Sequence, residues 1–192
     1  MNLQPFISIL SALPLAACAP SLYAEETNLD PKKAYKYSSI RTQIDHLFII
    51  NDENLKLATI SDLKLTATIQ DDAADSSPII LSFDWPHNIV FYLPENFNSK
   101  MEEWEYQICT YKVIGYGYGF RPSINRKDYD YLIEQRCKGD NEIVRYEYSD
   151  YFGLQSFGIG QYDGTTPDGE PIFDLQDTFA LYGAEIGFGA RQ

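Results

Sequence analysis

The stretch LKLTATIQ, residues 63–70, alternates Leu63, Leu65, Ala67 and Ile69 with Lys64, Thr66, Thr68 and Gln70. Successive side chains of an extended chain point to opposite faces, so a period of two describes a strand with one dry face and one wet face. The same reading extends in both directions from this segment. Upstream, Ile44 to Ile50 and Leu55 to Ile60 are apolar-rich runs separated by the turn signal Asn51-Asp52-Glu53-Asn54. Downstream, the loop Asp71 to Pro78 leads to two short strands, Ile79 to Phe83 and Ile89 to Leu93, which flank Asp84-Trp85-Pro86-His87-Asn88.

Glu103 to Phe120 reads as a longer strand-like region, with Trp104, Tyr106 and Ile108 on one face and Cys109, Tyr111 and Val113 on the other. Within it, Gly115-Tyr116-Gly117-Tyr118-Gly119-Phe120 sets three rings on one side and bare backbone on the other. A phosphate-binding glycine loop needs a helix to follow, whereas Arg121-Pro122 ends this run. Asp128 to Cys137 is the best helix candidate, because Tyr131, Leu132 and Gln135 have near-helical spacing and Ser123 or Asn125 can cap it. A strand accommodates the same residues. Ile143 to Tyr148, Phe152 to Gly160 and Ile172 to Ala184 read as strands, with a turn at 163–169 and a last strand at Ile186 to Gly189. The expected fold is mainly β, a β-sandwich or small barrel with one optional short helix near 128–137.

The chain of 192 residues contains 15 Tyr, 11 Phe and 2 Trp, an aromatic load that suits strands and half-buried surfaces. Its net charge of −13 belongs wholly to the residues after Ala24, since the first 24 carry no charged side chain. Such a charge argues against nucleic acid or anionic lipid held on a basic face, and allows a cationic protein partner instead.

Phe6 to Ala17 is an apolar stretch interrupted by Ser8, Ser11 and Pro14, too short for the about 20 residues that cross a bilayer. It fits the hydrophobic region of a signal peptide, although no basic side chain precedes it. Leu15-Ala16-Ala17-Cys18 resembles the lipobox of bacterial lipoproteins, in which the cysteine receives lipid and becomes the new N-terminus. The resemblance implies a signal peptide of residues 1–17, lipidation at Cys18 and, with Ala19 following, passage to the outer membrane. The alternative cleavage, after Leu22-Tyr23-Ala24, gives a signal of residues 1–24 and a soluble periplasmic or secreted protein. Residues 18–39 then read as a tether and 40–192 as a single β-rich domain. In an oxidising compartment Cys109 and Cys137 are the remaining pair, so a disulfide between them is expected.

No catalytic motif accompanies these features. His46 follows Asp45 and His87 lies in the Trp-Pro-His-Asn turn, neither beside a Gly-x-Ser-x-Gly nucleophile. The acidic clusters Asp71, Asp72, Asp75 and Asp163, Asp168, Glu170 lack the spacing of an EF-hand loop, so neither metal nor cofactor is expected. In size, export and charge the chain resembles the small periplasmic lipoproteins that neutralise toxic effectors from neighbouring bacteria. That resemblance implies a non-enzymatic binding protein whose acidic, tyrosine-rich surface docks a cationic effector. Its candidate contacts are Trp104, Tyr106, Tyr116, Tyr118, Tyr129 and Tyr131, flanked by Glu102, Glu103 and Glu105. The alternatives are a structural or surface-exposed envelope protein, and a hydrolase that acts on an envelope polymer through paired carboxylates.

Overall fold

A computed structural model describes residues 34–43, 45–51, 56–60, 63–70, 77–85, 87–121, 126–169 and 171–191. These residues form thirteen strands: β1 (Ala34–Ser39), β2 (His46–Asn51), β3 (Lys56–Ile60), β4 (Leu63–Leu65), β5 (Ala67–Gln70), β6 (Ile79–Trp85), β7 (His87–Leu93), β8 (Glu103–Tyr106), β9 (Cys109–Arg121), β10 (Arg126–Cys137), β11 (Glu142–Ser149), β12 (Gly153–Thr165) and β13 (Pro171–Leu181). Ten of them make one antiparallel sheet in the order β4-β3-β2-β1-β13-β12-β11-β10-β9-β8, and β5-β6-β7 make a second. The large sheet is two meanders joined where the first strand meets the last, at Tyr37 opposite Leu181 and Ser39 opposite Phe179.

LKLTATIQ is where the chain passes between the sheets. Leu63–Leu65 pairs with β3 in the large sheet, and after Thr66 the same extended segment pairs with β6 in the small one. Alternation persists through the change, with Leu65 and Ile69 buried and Ala67 between them half-buried. At the opposite edge, the Trp104 indole N–H of β8 donates to the Tyr92 carbonyl of β7 at 3.1 Å. Both edges of the large sheet therefore reach the same three strands, and the large sheet wraps around them. This is the β-sandwich or barrel-like arrangement expected, with no helix among the described residues.

The core lies between the layers and is dominated by rings. Phe91 of the small sheet packs on Tyr146 and Tyr148, and Phe83 packs on Phe157, which stacks on Phe179 at 5.2 Å. Polar bonds fix the alignment of the sheets at one residue, Val90. The Val90 N–H donates to Gln135 Oε1 at 3.3 Å, and its carbonyl accepts from the Tyr111 hydroxyl at 2.8 Å. Tyr146, fully buried, donates to the same Gln135 oxygen. A buried amide would be costly without such partners.

Several expectations need correction. Asp128 to Cys137 is a strand, because β9 and β11 pair with it on its two sides and both of its faces are covered at Ile133, Glu134 and Gln135. The region Glu103 to Phe120 is two strands: the chain reverses at Gln107, which has a φ of 55°, so Tyr106 pairs with Cys109 and Ile108 is exposed. The sheet also begins at Ala34, inside the span read as a tether, because Tyr35, Tyr37 and Ser39 alternate inward. Ile186 to Gly189 is no strand, but Phe188 is fully buried and the segment bonds to Phe152 and Leu154.

Cys109 and Cys137 are directly opposite in the β9–β10 ladder and form a disulfide. Gln135 Nε2 donates to the Cys137 sulfur at 2.9 Å, which ties the bridge to the Val90 contact. Removing the crosslink, with its sequence separation of 28, is expected to cost roughly 3 to 4 kcal/mol on the chain-entropy estimate. Urea unfolding of the Cys109→Ser/Cys137→Ser variant measures this directly.

Candidate surface site

β9 and β10 are longer than the strands that flank them. β8 pairs with β9 only over Cys109–Lys112, and β11 pairs with β10 over Asp130–Arg136. Beyond these limits the two strands continue as a ribbon, with Tyr116 opposite Tyr131, Tyr118 opposite Tyr129 and Arg121 opposite Arg126. Tyr131 faces the core, so its register partner Tyr116 lies on that same face. The core face thus runs out along the ribbon past the layer that covers it.

The proposed aromatic contacts separate along this face. Trp104 is 9% exposed, stacks on Tyr111 at 5.6 Å and packs against Phe97. Tyr131 is 2% exposed and its hydroxyl donates to Asp150 at 3.3 Å. Both are core residues. Tyr106 is half-buried and stacks on Tyr92 at 4.0 Å. Tyr116 and Tyr118, by contrast, are 74% and 51% exposed, and Tyr129 is half-buried. Tyr118 lies 4.3 Å from Tyr129, which stacks on Tyr131, which in turn stacks on Tyr148. An unbroken file of rings therefore connects Tyr118 to the core, with Tyr116 beside it on the same face.

The glutamates lie elsewhere than expected. Glu103 and Glu105 alternate with the inward Trp104 and pair with Lys112 and Thr110, so they occupy the opposite face of the sheet from the tyrosines. Glu102 is exposed at the start of β8, where its carbonyl accepts the Val113 N–H. Asp128 and Asp130, on either side of Tyr129 in sequence, alternate with it and so also lie on the face away from the rings. Asp128 is buried and accepts a hydrogen bond from the Ser149 hydroxyl.

Two polar groups lie on the outer face, and the first of them, at Glu134, went unnoticed in the sequence. Glu134, 4% exposed, accepts from Arg136 Nε at 2.7 Å and from Arg145 Nε at 2.9 Å, and Arg136 lies over the Phe173 ring. The positions 134, 136 and 145 come together only through the β10–β11 register, for which the chain carries no local signal. His46 Nδ1 is 2.9 Å from the Ser38 hydroxyl, across the β1–β2 pair, and Asp45 accepts from Thr42. Burial, then the charge of Lys36, lowers the His46 pKa against the opposing pull of Asp45. The imidazole is therefore neutral at pH 7, in a groove of about 490 Å³ between Lys36 and Tyr182.

Cys18 and the cluster at Asp71, Asp72 and Asp75 lie outside the described residues, as does Glu170 of the second acidic cluster. Among the described residues no three His, Cys, Asp or Glu side chains gather to hold a metal ion. Compared with known protein families, curated proteins and solved structures, the chain matches none.

Proposed function

We propose that this is an exported, lipid-anchored envelope protein that acts by binding a cationic protein, with the tyrosine face of the β9–β10 ribbon as its contact surface. The observation that carries the reading is the exposure of Tyr116 and Tyr118 on one face of a ribbon, with Tyr118 held from the core through Tyr129 and Tyr131. Tyrosine offers a large amphipathic contact at small entropic cost, and pre-positioned rings lose less freedom on binding. A net charge of −13 attracts a cationic partner over distance, while the rings supply the short-range contact. An inhibitor of a basic effector fits this division of labour.

The test is capture from envelope extracts and from supernatants of competing bacteria, with elution by increasing salt. A basic protein retained by the wild type is expected to bind at least about tenfold more weakly to a Tyr116→Ser/Tyr118→Ser variant, as for loss of an interface hot spot. Equal retention by the two proteins would remove the ribbon from the binding surface. The anchor is tested separately. A Cys18→Ala chain is expected to move from the membrane fraction to the soluble fraction, because each buried methylene of the lipid contributes about 0.8 kcal/mol.

A further inference from the structure

Ser38 and His46, eight residues apart in sequence, are set directly opposite each other by the β1–β2 register. In β1 the inward Tyr35, Tyr37 and Ser39 alternate with Lys36 and Ser38, so the latter two lie on the outer face of the large sheet. The Ser38 hydroxyl and His46 Nδ1, 2.9 Å apart, border the groove of about 490 Å³ that Lys36, Gln43 and Tyr182 also line. A neutral imidazole with its proton on Nε2 accepts at Nδ1, and the hydroxyl is then the donor. A serine hydroxyl bonded to an unprotonated base and open to a cavity is the starting arrangement of nucleophilic catalysis.

The lining adds charge of one sign. Lys36 lies over the Phe48 ring at 5.4 Å and over the Tyr182 ring at 4.9 Å, and the described residues that line the groove include no carboxylate. In a chain of net charge −13 this is a locally positive spot. Lys36 stands two residues, about 7 Å, along the strand from Ser38. Its ammonium is therefore placed to hold a negative group of a substrate a few bonds from the carbon that Ser38 attacks, and it favours negative charge on the carbonyl oxygen as that develops. We propose that Ser38 and His46 hydrolyse carboxylic esters whose acyl part carries a negative charge, with Lys36 as the anchor for that charge.

In the first step the Ser38 oxygen bonds to the ester carbonyl carbon as its proton passes to His46 Nδ1. The bond from that carbon to the alcohol oxygen then breaks, and the alcohol leaves with the proton. Water attacks the acyl-serine, Nδ1 takes the water proton, and its return to the Ser38 oxygen releases the carboxylic acid and restores the site. One ester and one water give one acid and one alcohol. The groove lies on the outer face of β13, β1 and β2, whereas the tyrosines of the ribbon lie on the core face of β9 and β10, so this activity goes beyond the proposed binding role.

The purified chain, disulfide intact, is treated with a fluorophosphonate, which marks an activated serine by a covalent adduct, and is assayed with the nitrophenyl ester of acetic acid and the nitrophenyl monoester of succinic acid. The wild type should gain an adduct that fragmentation of the labelled peptide places on Ser38, and should cleave the succinate monoester with the lower KM. Ser38→Ala should lose both the adduct and the cleavage. His46→Gln should lower kcat at least about hundredfold, as for loss of a general base. Lys36→Met should raise KM for the succinate monoester about tenfold and leave KM for the acetate ester unchanged, as for loss of one charged hydrogen bond. Lys36, Ser38 and His46 are half-buried on the outer face, and unchanged urea midpoints check that the variants fold. A wild type without an adduct on Ser38, cleavage retained by Ser38→Ala, labelling untouched by His46→Gln, or equal effects of Lys36→Met on the two esters would each overturn the proposal. Capture of a basic protein by Ser38→Ala, which keeps the ribbon intact, reports on the ring face independently of the ester chemistry.

Discussion

Raising the pH from about 10 to about 11 is expected to lower the unfolding free energy by about 3 kcal/mol. Three buried phenols carry this effect. Burial raises the pKa of Tyr111, with Tyr106 and Tyr92 adding to it, and burial raises that of Tyr131, reinforced by the charge and hydrogen bond of Asp150. Tyr146 is raised by burial and by Tyr111, against the opposing effect of a backbone hydrogen bond from Val90. In the unfolded chain a phenol releases its proton near pH 10, whereas in the folded protein these three retain theirs. Above that pH the unfolded state binds fewer protons, so stability falls as pH rises. Below it the contribution is constant. Over the first unit above pH 10, where half of the unfolded phenols are already ionised at the start, each group supplies about 1 kcal/mol and three supply about 3. Urea unfolding at a series of pH values measures the slope, and Tyr131→Phe should reduce it by about a third. A flat profile would mean that the phenols ionise without unfolding.

The second large effect is expected at Gly187, where alanine should cost roughly 4 kcal/mol or more. Its Cβ would lie 1.9 Å from the Leu154 carbonyl oxygen and 2.9 Å from the carbonyl carbon. Leu154 has little room to yield. Its carbonyl accepts from the buried Tyr37 hydroxyl at 2.9 Å, its N–H donates to the Phe188 carbonyl at 2.8 Å, and the Phe188 N–H donates back to Tyr37 at 3.1 Å. Relief of the overlap therefore means lifting Phe188 from its place against Tyr35. Phe188→Ala, which removes the ring without moving the backbone, should cost roughly 3 to 5 kcal/mol. Thermal and urea denaturation of both variants measure these losses. A Gly187→Ala protein with wild-type stability would show that the C-terminal segment docks only loosely.

Most strands were legible because each displays its own period, and the least legible features depend on partners distant in sequence. Residues 63–70 show this clearly. Alternation reports side-chain direction, which is continuous across Thr66, but the exchange of β3 for β6 as hydrogen-bonding neighbour leaves no trace in the period. At Ile133 to Gln135 the period is erased because Arg136 and Arg145 cover Glu134 on the outer face. The spacing of Tyr131, Leu132 and Gln135 then resembles a helix by coincidence. For the ribbon, the Gly-Tyr alternation correctly placed the rings on one side. Which rings are exposed depends on where β8 and β11 stop, and so Trp104 and Tyr131 could not be told from Tyr116 and Tyr118 by residue type.

The seam between β1 and β13 has a consequence for how the protein is made. Of the described strands β1 is made first, yet one of its two neighbours is β13, made last, and Tyr37 waits for Phe188. Nearly the whole chain must be present before the middle of the large sheet can close. Such distant pairings slow folding and prolong the exposure of sticky intermediates. A chain built this way completes its large sheet only once its final residues arrive.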